Sequence, residues 1–162
     1  MVLDESRAII DRRLGLHPAW SNFHPAPVRL DGLFYPSVEH AFQAAKTLDP
    51  ALRETVRRSS TPGAAKRAGR RIPLRPDWEE VKYPVMLALL RQKFRIPGLG
   101  EELLASGHQE IVEDTTGWHD VVWGRCYCLR HGGAGSNLLG VALMQVRTEL
   151  AAPGLLDEAG DD

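Results

Sequence analysis

Cysteine is scarce in this chain, and so are long apolar runs and any excess of charge of one sign. Only two of the 162 residues are cysteine, so at most one disulfide bond can form and a disulfide-stapled secreted scaffold is excluded. The longest apolar run, Val85 to Leu90, is far shorter than the roughly 18 residues that a membrane-spanning helix needs. The N-terminus carries Asp4, Glu5 and Arg7 where a signal peptide would be apolar. These absences predict a cytoplasmic protein without a membrane partner.

The remaining composition is that of an ordinary globular protein. Hydrophobic residues make up 43% of the chain and charged residues 25%, which excludes collagen-like, coiled-coil and wholly disordered chains. The length suits one domain, and no internal repeat or low-complexity linker divides it. We therefore predict a single domain over residues 1–150, followed by an acidic, disordered tail over residues 151–162.

The formal net charge of -1 hides an uneven distribution of charged residues. The tail from Pro153 onward contains four acidic residues and no basic one, so the rest of the chain carries a net charge of +3. The segment from Arg53 to Arg75, here called the basic segment, holds eight basic residues and a single acidic one, Glu54. It is either a solvated helical surface or a flank that faces phosphate groups, and composition does not decide between the two.

Local patterns predict an α+β fold that is predominantly α-helical, with a small β element. The segments Val28 to Gly32 and Leu33 to Tyr35 have the pattern of a β-hairpin, and Glu110 to Asp114 that of a short strand. The stretch from Asp4 to Leu14 is weakly helical. Residues 118–137 are irregular and rich in glycine, which is typical of a long loop.

Capping residues mark most of the predicted helix starts. These signals are Ser37, Asp49–Pro50, Thr61–Pro62, Asp77 with Glu80 in the pattern of a capping box, and Asn137. Pro84 should kink or split the helix that follows Asp77. A further short helix is predicted from Gly98 to Ser106. Two helices have a clear apolar face: Val38, Ala41, Phe42 and Ala45 in the first, and Leu139, Leu143, Val146 and Leu150 in the last.

Three polar residues of the first helix border its apolar face. At about 100° per residue, Glu39, Gln43 and Lys46 fall within roughly a 60° sector. A carboxylate at that border would be partly buried, a setting that suits acid or base catalysis. Spacing alone favours the plainer interpretation, in which Glu39 is solvated on a surface series.

Two further residues are candidates for a functional site. Asp120 lies between Trp118 and Trp123 in the irregular segment, and functional groups concentrate on ordered loops. An aspartate that caps a turn is the plainer interpretation. Trp78, at the start of its helix, is either a staple against the preceding loop or a flat face on which a base can stack. Glu39 and Asp120 together would be the carboxylate pair that glycoside chemistry uses.

Cys126, Cys128, His131 and His119 raise the question of a zinc site. The spacing C-x-C-x-x-H is not a standard zinc motif, and a fourth ligand has to come from elsewhere in the chain. Packed free thiols are the default for such cysteines, so we predict no bound metal and no cofactor. The glycine-rich turn from Gly132 to Asn137 matches neither a P-loop nor a dinucleotide-binding motif.

Five blocks of sequence, by their order and spacing, resemble the NADAR family of YbiA-like N-glycosidases. They are Trp20 to Phe23, Tyr35 to Lys46, Pro73 to Lys82 followed by Lys93–Phe94, Asp120 to Gly124, and Asn137 to Gly140 followed by Leu143–Met144 and Arg147. The resemblance covers about residues 20–150. It implies a single compact YbiA-like domain that hydrolyses the N-glycosidic bond between a ribose and an amino-bearing base.

The family acts on two kinds of substrate, and the resemblance carries both to this chain. The first is ADP-ribose attached to guanine in DNA, whose removal would make the chain antitoxin-like, with a DNA ADP-ribosyltransferase toxin as a partner in the same system. The alternative is a phosphoribosylamino-pyrimidine intermediate of riboflavin synthesis. A non-catalytic ADP-ribose-binding module is the alternative from another class of protein.

The family's catalytic Glu, Trp and Asp match Glu39, Trp78 and Asp120. We assign Glu39 as the acid/base, because the helix places it beside apolar residues. Asp120 would stabilise an oxocarbenium-like cation or orient water, and Trp78 would stack on the base or ribose; the roles could be exchanged. Arginines of the basic segment would hold phosphate together with Lys46. The residues expected to contact substrate are Asn22, Phe23, Lys46, Lys82, Trp123, Gly124 and Asn137. The chain departs from the compact family pattern at Arg125 to His131, which leaves the substrate open.

Overall fold

The computed structural model describes residues 5–152, and within them the chain divides into two units. Asn22–Arg95 forms one, here called the central unit. The segments on either side of it in the sequence, residues 5–21 and 96–152, form the other, here called the terminal unit. The acidic tail from Pro153 onward lies outside the described residues. The single domain over residues 1–150 stays a prediction.

The described residues confirm the α+β class, with helices as the main element. In chain order the elements are β1 (Arg7–Ile10), a 3₁₀ turn (Pro18–Trp20), β2 (Val28–Leu30), β3 (Leu33–Tyr35), α1 (Val38–Ala44), α2 (Pro50–Arg57), α3 (Pro62–Gly69), α4 (Trp78–Lys93), α5 (Leu99–Ala105), β4 (Glu110–Glu113) and α6 (Leu138–Ala151). The predicted hairpin, the short helix α5 and the short strand β4 are all confirmed.

The terminal unit is built on a parallel strand pair that the sequence did not reveal. The stretch predicted as weakly helical contains β1, which pairs with β4 from Arg7 opposite Glu110 to Ile10 opposite Glu113. The side chains of Ala8 and Ile10 are at most 2% exposed, and burial at alternate positions is the period of a strand. The helical prediction is wrong because the partner strand lies far along the chain, where a local pattern does not register it.

The rest of the terminal unit packs on this strand pair. β4 lies against α6, and α6 lies against α5. Leu139, Leu143 and Val146 form the buried face of α6, as predicted, while Leu150 is only half-buried. Between β4 and α6 the structure has neither helix nor named strand, which confirms the irregular segment over residues 118–137.

The central unit begins with the β2–β3 hairpin. Val28 pairs with Tyr35 and Leu30 with Leu33 in antiparallel register. The two connecting residues, Asp31 and Gly32, have positive φ angles of 46° and 82°, as a tight turn between right-twisted strands requires.

Three helices of the central unit begin at the predicted caps. The Ser37 hydroxyl accepts the backbone N–H of His40 at 3.2 Å, which caps α1. Asp49 accepts the N–H of Ala51 at 2.8 Å before α2, and the Thr61 hydroxyl accepts an N–H of α3 at 3.1 Å. The predicted apolar stripe of α1 is at most 5% exposed. These helices form where expected because a cap is a contact between residues that are neighbours in sequence.

One prediction for α4 is wrong, and one of the two alternatives in a second prediction is excluded. The Asp77 side chain does not cap the helix: both of its oxygens pair with the Arg75 guanidinium, at 2.6 and 2.9 Å, and such a charge-assisted pair is stronger than a bond to a neutral amide. Pro84 does not split the helix, which continues to Lys93. Buried side chains on the turns beyond the proline, such as Met86 and Leu90, hold those turns in place.

The helices of the described chain are short. α4 has 16 residues, and neither it nor any other described helix is both long and apolar enough to cross a bilayer. The cytoplasmic location stays a prediction.

The cap of α1 yields a stability prediction. Ser37→Ala should lower the free energy of unfolding by about 1–2 kcal/mol, because the buried N–H of His40 loses its acceptor. Urea denaturation followed by circular dichroism measures the change. Ser60→Ala removes an exposed hydroxyl and should shift stability by less than about 0.5 kcal/mol. Equal midpoints for the two variants would show that the cap contributes nothing.

Candidate active site

Glu39 lies in the first turn of α1 and is 6% exposed, so the interpretation that spacing alone favoured, a solvated glutamate, is wrong. Its Oε1 accepts a hydrogen bond from Nε2 of Gln43, one turn further on, at 2.8 Å. Its backbone N–H donates to the carbonyl of Asn22 at 3.1 Å. A carboxylate removed from water needs such donors, and Gln43 supplies one. The catalytic role of Glu39 stays a prediction.

Gln43 is buried where α1 meets α3. A Cβ atom at Gly69 of α3 would lie 2.0 Å from Oε1 of Gln43 and 2.9 Å from its Cβ. Only the missing side chain of Gly69 leaves room for the amide that holds Glu39. The sequence analysis did not select either residue as functional. The i, i+4 spacing of Glu39 and Gln43 is a signal that could have identified the glutamine.

Two buried amide oxygens in this region have no hydrogen-bond partner among the described residues. They are Oδ1 of Asn22 and Oε1 of Gln43. The other end of the Asn22 amide is engaged, since its Nδ2 lies 3.5 Å from the sulfur of Met86. Buried polar atoms are nearly always paired. Because Oε1 of Gln43 packs against Gly69, Oδ1 of Asn22 is the acceptor to which a polar ligand can donate a hydrogen bond.

Trp78 at the start of α4 packs its indole ring against Phe42 of α1. Its indole is 6% exposed, and its ring centroid lies 5.1 Å from that of Phe42, with the planes tilted by 52°. The described ring contact is made to α1, and both the staple against the preceding loop and stacking on a base or ribose stay predictions. Lys82, one turn further along α4, forms an ion pair with Glu79.

The basic segment touches this region at three points. The ammonium of Lys66 lies 5.9 Å from the ring centroid of Phe23, within cation–π range. Gly69 packs against the side chain of Gln43. The backbone N–H of Arg75 donates to the carbonyl of Lys46 at 2.8 Å. The basic segment therefore borders the predicted site residues of the central unit.

Four of the eight basic residues in the basic segment form ion pairs with three carboxylates of the central unit. Arg53 pairs with Asp31, Arg57 and Arg58 pair with Glu54, and Arg75 pairs with Asp77. The hydrogen bonds from Arg57 and Arg75 hold the pKa values of Glu54 and Asp77 below their ordinary range. The arginines that remain exposed at the end of α3 are Arg67, Arg70 and Arg71.

Asp120 lies in the irregular segment of the terminal unit, where it caps a turn. Its Oδ1 accepts the backbone N–H groups of Val122 at 2.9 Å and Trp123 at 2.8 Å. Its carbonyl accepts the hydroxyl of Thr115 at 2.6 Å. These bonds fix the direction of the half-buried carboxylate. They agree with the plainer interpretation of Asp120, and its catalytic role stays a prediction.

Asn137 forms hydrogen bonds with β4, and Gly124 packs closely against its last residue. Asn137 stands at the first position before α6 with a φ of 52°, but its side chain does not cap the helix. Instead Nδ2 donates to the carbonyl of Ile111 at 2.8 Å, and Oδ1 accepts the N–H of Glu113 at 3.1 Å. The predicted cap is wrong because the edge of β4 offers the amide a donor and an acceptor at once. A Cβ at Gly124 would lie 2.5 Å from the carbonyl oxygen of Glu113.

The predicted site residues are thus carried by both units. The central unit carries Asn22, Phe23, Glu39, Lys46, Trp78 and Lys82. The terminal unit carries Asp120, Trp123, Gly124 and Asn137. Substrate contact stays a prediction for each of the residues to which the sequence assigned it.

Comparison with known proteins identifies the relatives of this chain. A family model described as the NADAR domain matches residues 15–151. The chain is 43% identical over 135 residues to the N-glycosidase YbiA of Escherichia coli K12, which covers 82% of this chain and 81% of that protein. It is 34% identical over 137 residues to an N-glycosidase of Nostoc punctiforme, with 81% and 84% of the two chains covered.

One more protein and one solved structure are similar to this chain. A riboflavin biosynthesis protein of Vibrio vulnificus is 36% identical over 137 residues, which is 83% of this chain but 36% of that protein. The NMR structure of the Escherichia coli protein YbiA matches with a TM-score of 0.77 and 35% identity, over 99% of this chain and 92% of that chain.

The class of protein follows from these relatives: the chain is an enzyme of the N-glycosidase class. It belongs to the NADAR domain family, which confirms the resemblance drawn from its sequence blocks.

The contact between Gly69 and Gln43 yields a second prediction. Gly69→Ala should lower the free energy of unfolding by about 1–3 kcal/mol, because the new methyl group overlaps the Gln43 side chain. It should also lower turnover, because Gln43 leaves its position beside Glu39. Urea denaturation and the rate of glycoside cleavage are the two measurements.

Gly63→Ala on the same helix is the matched control. The nearest atom to a Cβ at Gly63 is 3.6 Å away, so this change should be neutral or slightly stabilising, since alanine favours helix. If the two alanine variants behave alike, the space left by Gly69 has no special importance.

Proposed function

We propose that the chain hydrolyses the N-glycosidic bond that joins a ribose to an amino-bearing base, with ADP-ribose on guanine in DNA as its substrate. The observation that carries the reaction is the buried carboxylate of Glu39, bonded to Gln43 and flanked by two buried amide oxygens without partners among the described residues. A buried carboxylate with an unpaired acceptor beside it is suited to hold a polar substrate and to move a proton.

The reaction needs one proton donor and one group that faces a developing cation. The bond between C1′ of the ribose and the base nitrogen breaks, its electron pair stays on the nitrogen, and the ribose becomes oxocarbenium-like. Glu39 delivers a proton to that nitrogen. Water then adds to C1′, and the proton that it loses restores the carboxylic acid. The products are a ribose with a hydroxyl at C1′ and the free amino base.

Asp120 is the second carboxylate of this proposal. Its role is to stabilise the cation or to orient the attacking water. Two backbone N–H groups fix its direction, so it meets the charge without reorganisation, which is the condition for electrostatic stabilisation. Trp78, one ring away from Phe42 in α1, would stack on the base or ribose.

Exposed basic residues support DNA as the substrate. Arg67, Arg70 and Arg71 of the basic segment are exposed. The same segment contacts the predicted site residues, because Lys66 lies over the ring of Phe23 and Gly69 packs against Gln43. The diphosphate of ADP-ribose and the phosphates of a DNA strand both need such cations. The charge of +3 outside the acidic tail has the same sign.

A second substrate is favoured by the names of two relatives. The matching proteins of Vibrio vulnificus and Zea mays are named riboflavin biosynthesis proteins. A phosphoribosylamino-pyrimidine contains the same kind of bond, from a ribose to an amino-bearing base, and it has a single phosphate group. It therefore needs the carboxylates but not an extended basic surface.

The carboxylates are tested by conservative replacement. Glu39→Gln and Asp120→Asn should each lower kcat by about 10²–10⁴, because the amide neither donates the proton nor carries the charge. Glu80→Gln, an exposed glutamate of α4, should leave kcat unchanged. Wild-type turnover by both site variants on every substrate would overturn the mechanism. Binding of ADP-ribose without any cleavage would replace it with the binding-module alternative.

The substrate is tested by direct competition between the two classes. Release of ADP-ribose from a modified guanine oligonucleotide should proceed with a higher kcat/KM than loss of the ribosylamino-pyrimidine. DNA affinity should fall steeply with salt, and the double variant Arg70→Ala, Arg71→Ala should reduce the log–log slope by about one to two units. Arg95→Ala, outside the basic segment, should leave the slope unchanged. A flat salt response with faster pyrimidine cleavage would favour the second substrate.

A further inference from the structure

Four side chains that the proposed reaction does not use meet in the irregular segment of the terminal unit. They are His119, Cys126, Cys128 and His131, and their ligand atoms all lie within 4.8 Å of one another. Nδ1 of His119 lies 3.2 Å from Sγ of Cys126, and Nδ1 of His131 lies 3.2 Å from the same sulfur. The Cys128 sulfur lies 3.3 Å from that of Cys126 and 3.1 Å from Nδ1 of His131.

These distances are close to those of a tetrahedral metal site. With Zn–S of about 2.3 Å and Zn–N of about 2.0–2.1 Å, the ligand atoms of a tetrahedral zinc ion lie roughly 3.3–3.8 Å from one another. The one S···S and three N···S separations are each roughly 0.3–0.5 Å shorter than the values that a tetrahedral ion gives for those atom pairs. One ion therefore fits among the four atoms after small outward movements of the side chains.

The backbone holds the ligands in this arrangement. Cys126 forms an isolated bridge with Ala134, and the N–H of Gly133 donates to the Cys126 carbonyl at 2.8 Å. The N–H of His131 donates to the Cys128 carbonyl at 3.1 Å, which closes a tight turn between two of the ligands. The fourth ligand, His119, comes from the other side of the loop. It has a positive φ of 59°, a conformation that is uncommon outside glycine.

The loop has little apolar core of its own. Its large apolar side chains at Tyr127 and Leu129 are exposed, and the buried positions of the segment, Gly124, Cys126 and Asn137, carry no large apolar side chain. A segment without helix, strand or core needs another source of order. Metal coordination supplies such order in small loops, because the binding free energy of the ion is also folding free energy.

We propose that His119, Cys126, Cys128 and His131 bind one Zn²⁺ ion in a closed site that fixes the loop carrying Asp120. Two sulfur and two imidazole ligands in tetrahedral positions are a zinc set. Four protein ligands leave no open position for substrate, so the ion is structural. His119 directly precedes Asp120 in the chain, so the ion fixes the backbone from which that carboxylate projects. This site replaces the prediction of no bound metal.

Metal content is the first test, and it is independent of the proposed function because it needs no substrate. Full-length protein purified without added metal and without an affinity tag that binds metals should contain about one zinc ion per chain by elemental analysis. Co²⁺ added to protein stripped with a chelator should give the visible absorption bands of tetrahedral thiolate coordination. A chain that holds neither zinc nor cobalt overturns the site.

Variants assign the ligands. Cys126→Ser, Cys128→Ser and His131→Gln should each lose most of the bound zinc, while His108→Gln, an exposed histidine of the same unit, should keep it. Because a ligand variant can fail to fold, the wild-type chain provides the second readout. Removal of its zinc should lower Tm by more than about 5 °C, and added Zn²⁺ should restore it. Equal zinc content in all four variants, or a Cys126–Cys128 disulfide in the purified chain, would overturn the proposal.

Discussion

A carboxylate can lie buried in the first turn of α1 only if a neighbouring group donates to it, and here the donor is the amide of Gln43. That amide has its place because Gly69 of α3 has no side chain. The approach of α3 to α1 and the position of Glu39 therefore depend on one another. Three exposed arginines, Arg67, Arg70 and Arg71, lie in the last turn of α3 and just after it.

The terminal unit orders its polar residues in a different way. Its loop between β4 and α6 has neither helix nor strand, and its backbone groups bond both to each other, as Ser136 N–H does to the Val121 carbonyl at 2.8 Å, and to side chains. Asp120 accepts two N–H groups of the loop, and Asn137 bonds the edge of β4 on both sides of its amide. The thiol and imidazole cluster adds a third set of contacts.

Local sequence was a reliable guide wherever the deciding contact was local. The caps at Ser37, Asp49 and Thr61 and the hairpin turn at Asp31–Gly32 join residues a few positions apart, and all were predicted. Asp77 shows the limit, because its carboxylate had two possible partners, the helix N-terminus and Arg75, and the charged partner prevailed. The sequence pattern of a helix cap does not show whether a charged side chain competes with the helix N-terminus for the capping residue.

Contacts between residues that are far apart in the sequence could not be predicted from local patterns. β1 was missed because its strand character comes from β4, and Gly69 was not selected because its importance depends on Gln43 from another helix. The cluster of two cysteines and two histidines was not predicted to bind a metal because its spacing matches no standard motif, and His119 comes from a part of the loop that only the fold brings close.

The sequence by itself determined the family, the helix starts and the identity of the candidate catalytic groups. Each of these depends on residue types that occur a few positions apart or in a fixed order along the chain. The tertiary structure decided how those groups are presented: Glu39 is buried and held by Gln43, Asp120 is aimed by backbone N–H groups, and two histidines and two cysteines share one point. The physical reason is that burial, approach and ligand geometry depend on atoms that meet in space from far apart in the chain, and residue spacing does not record those meetings.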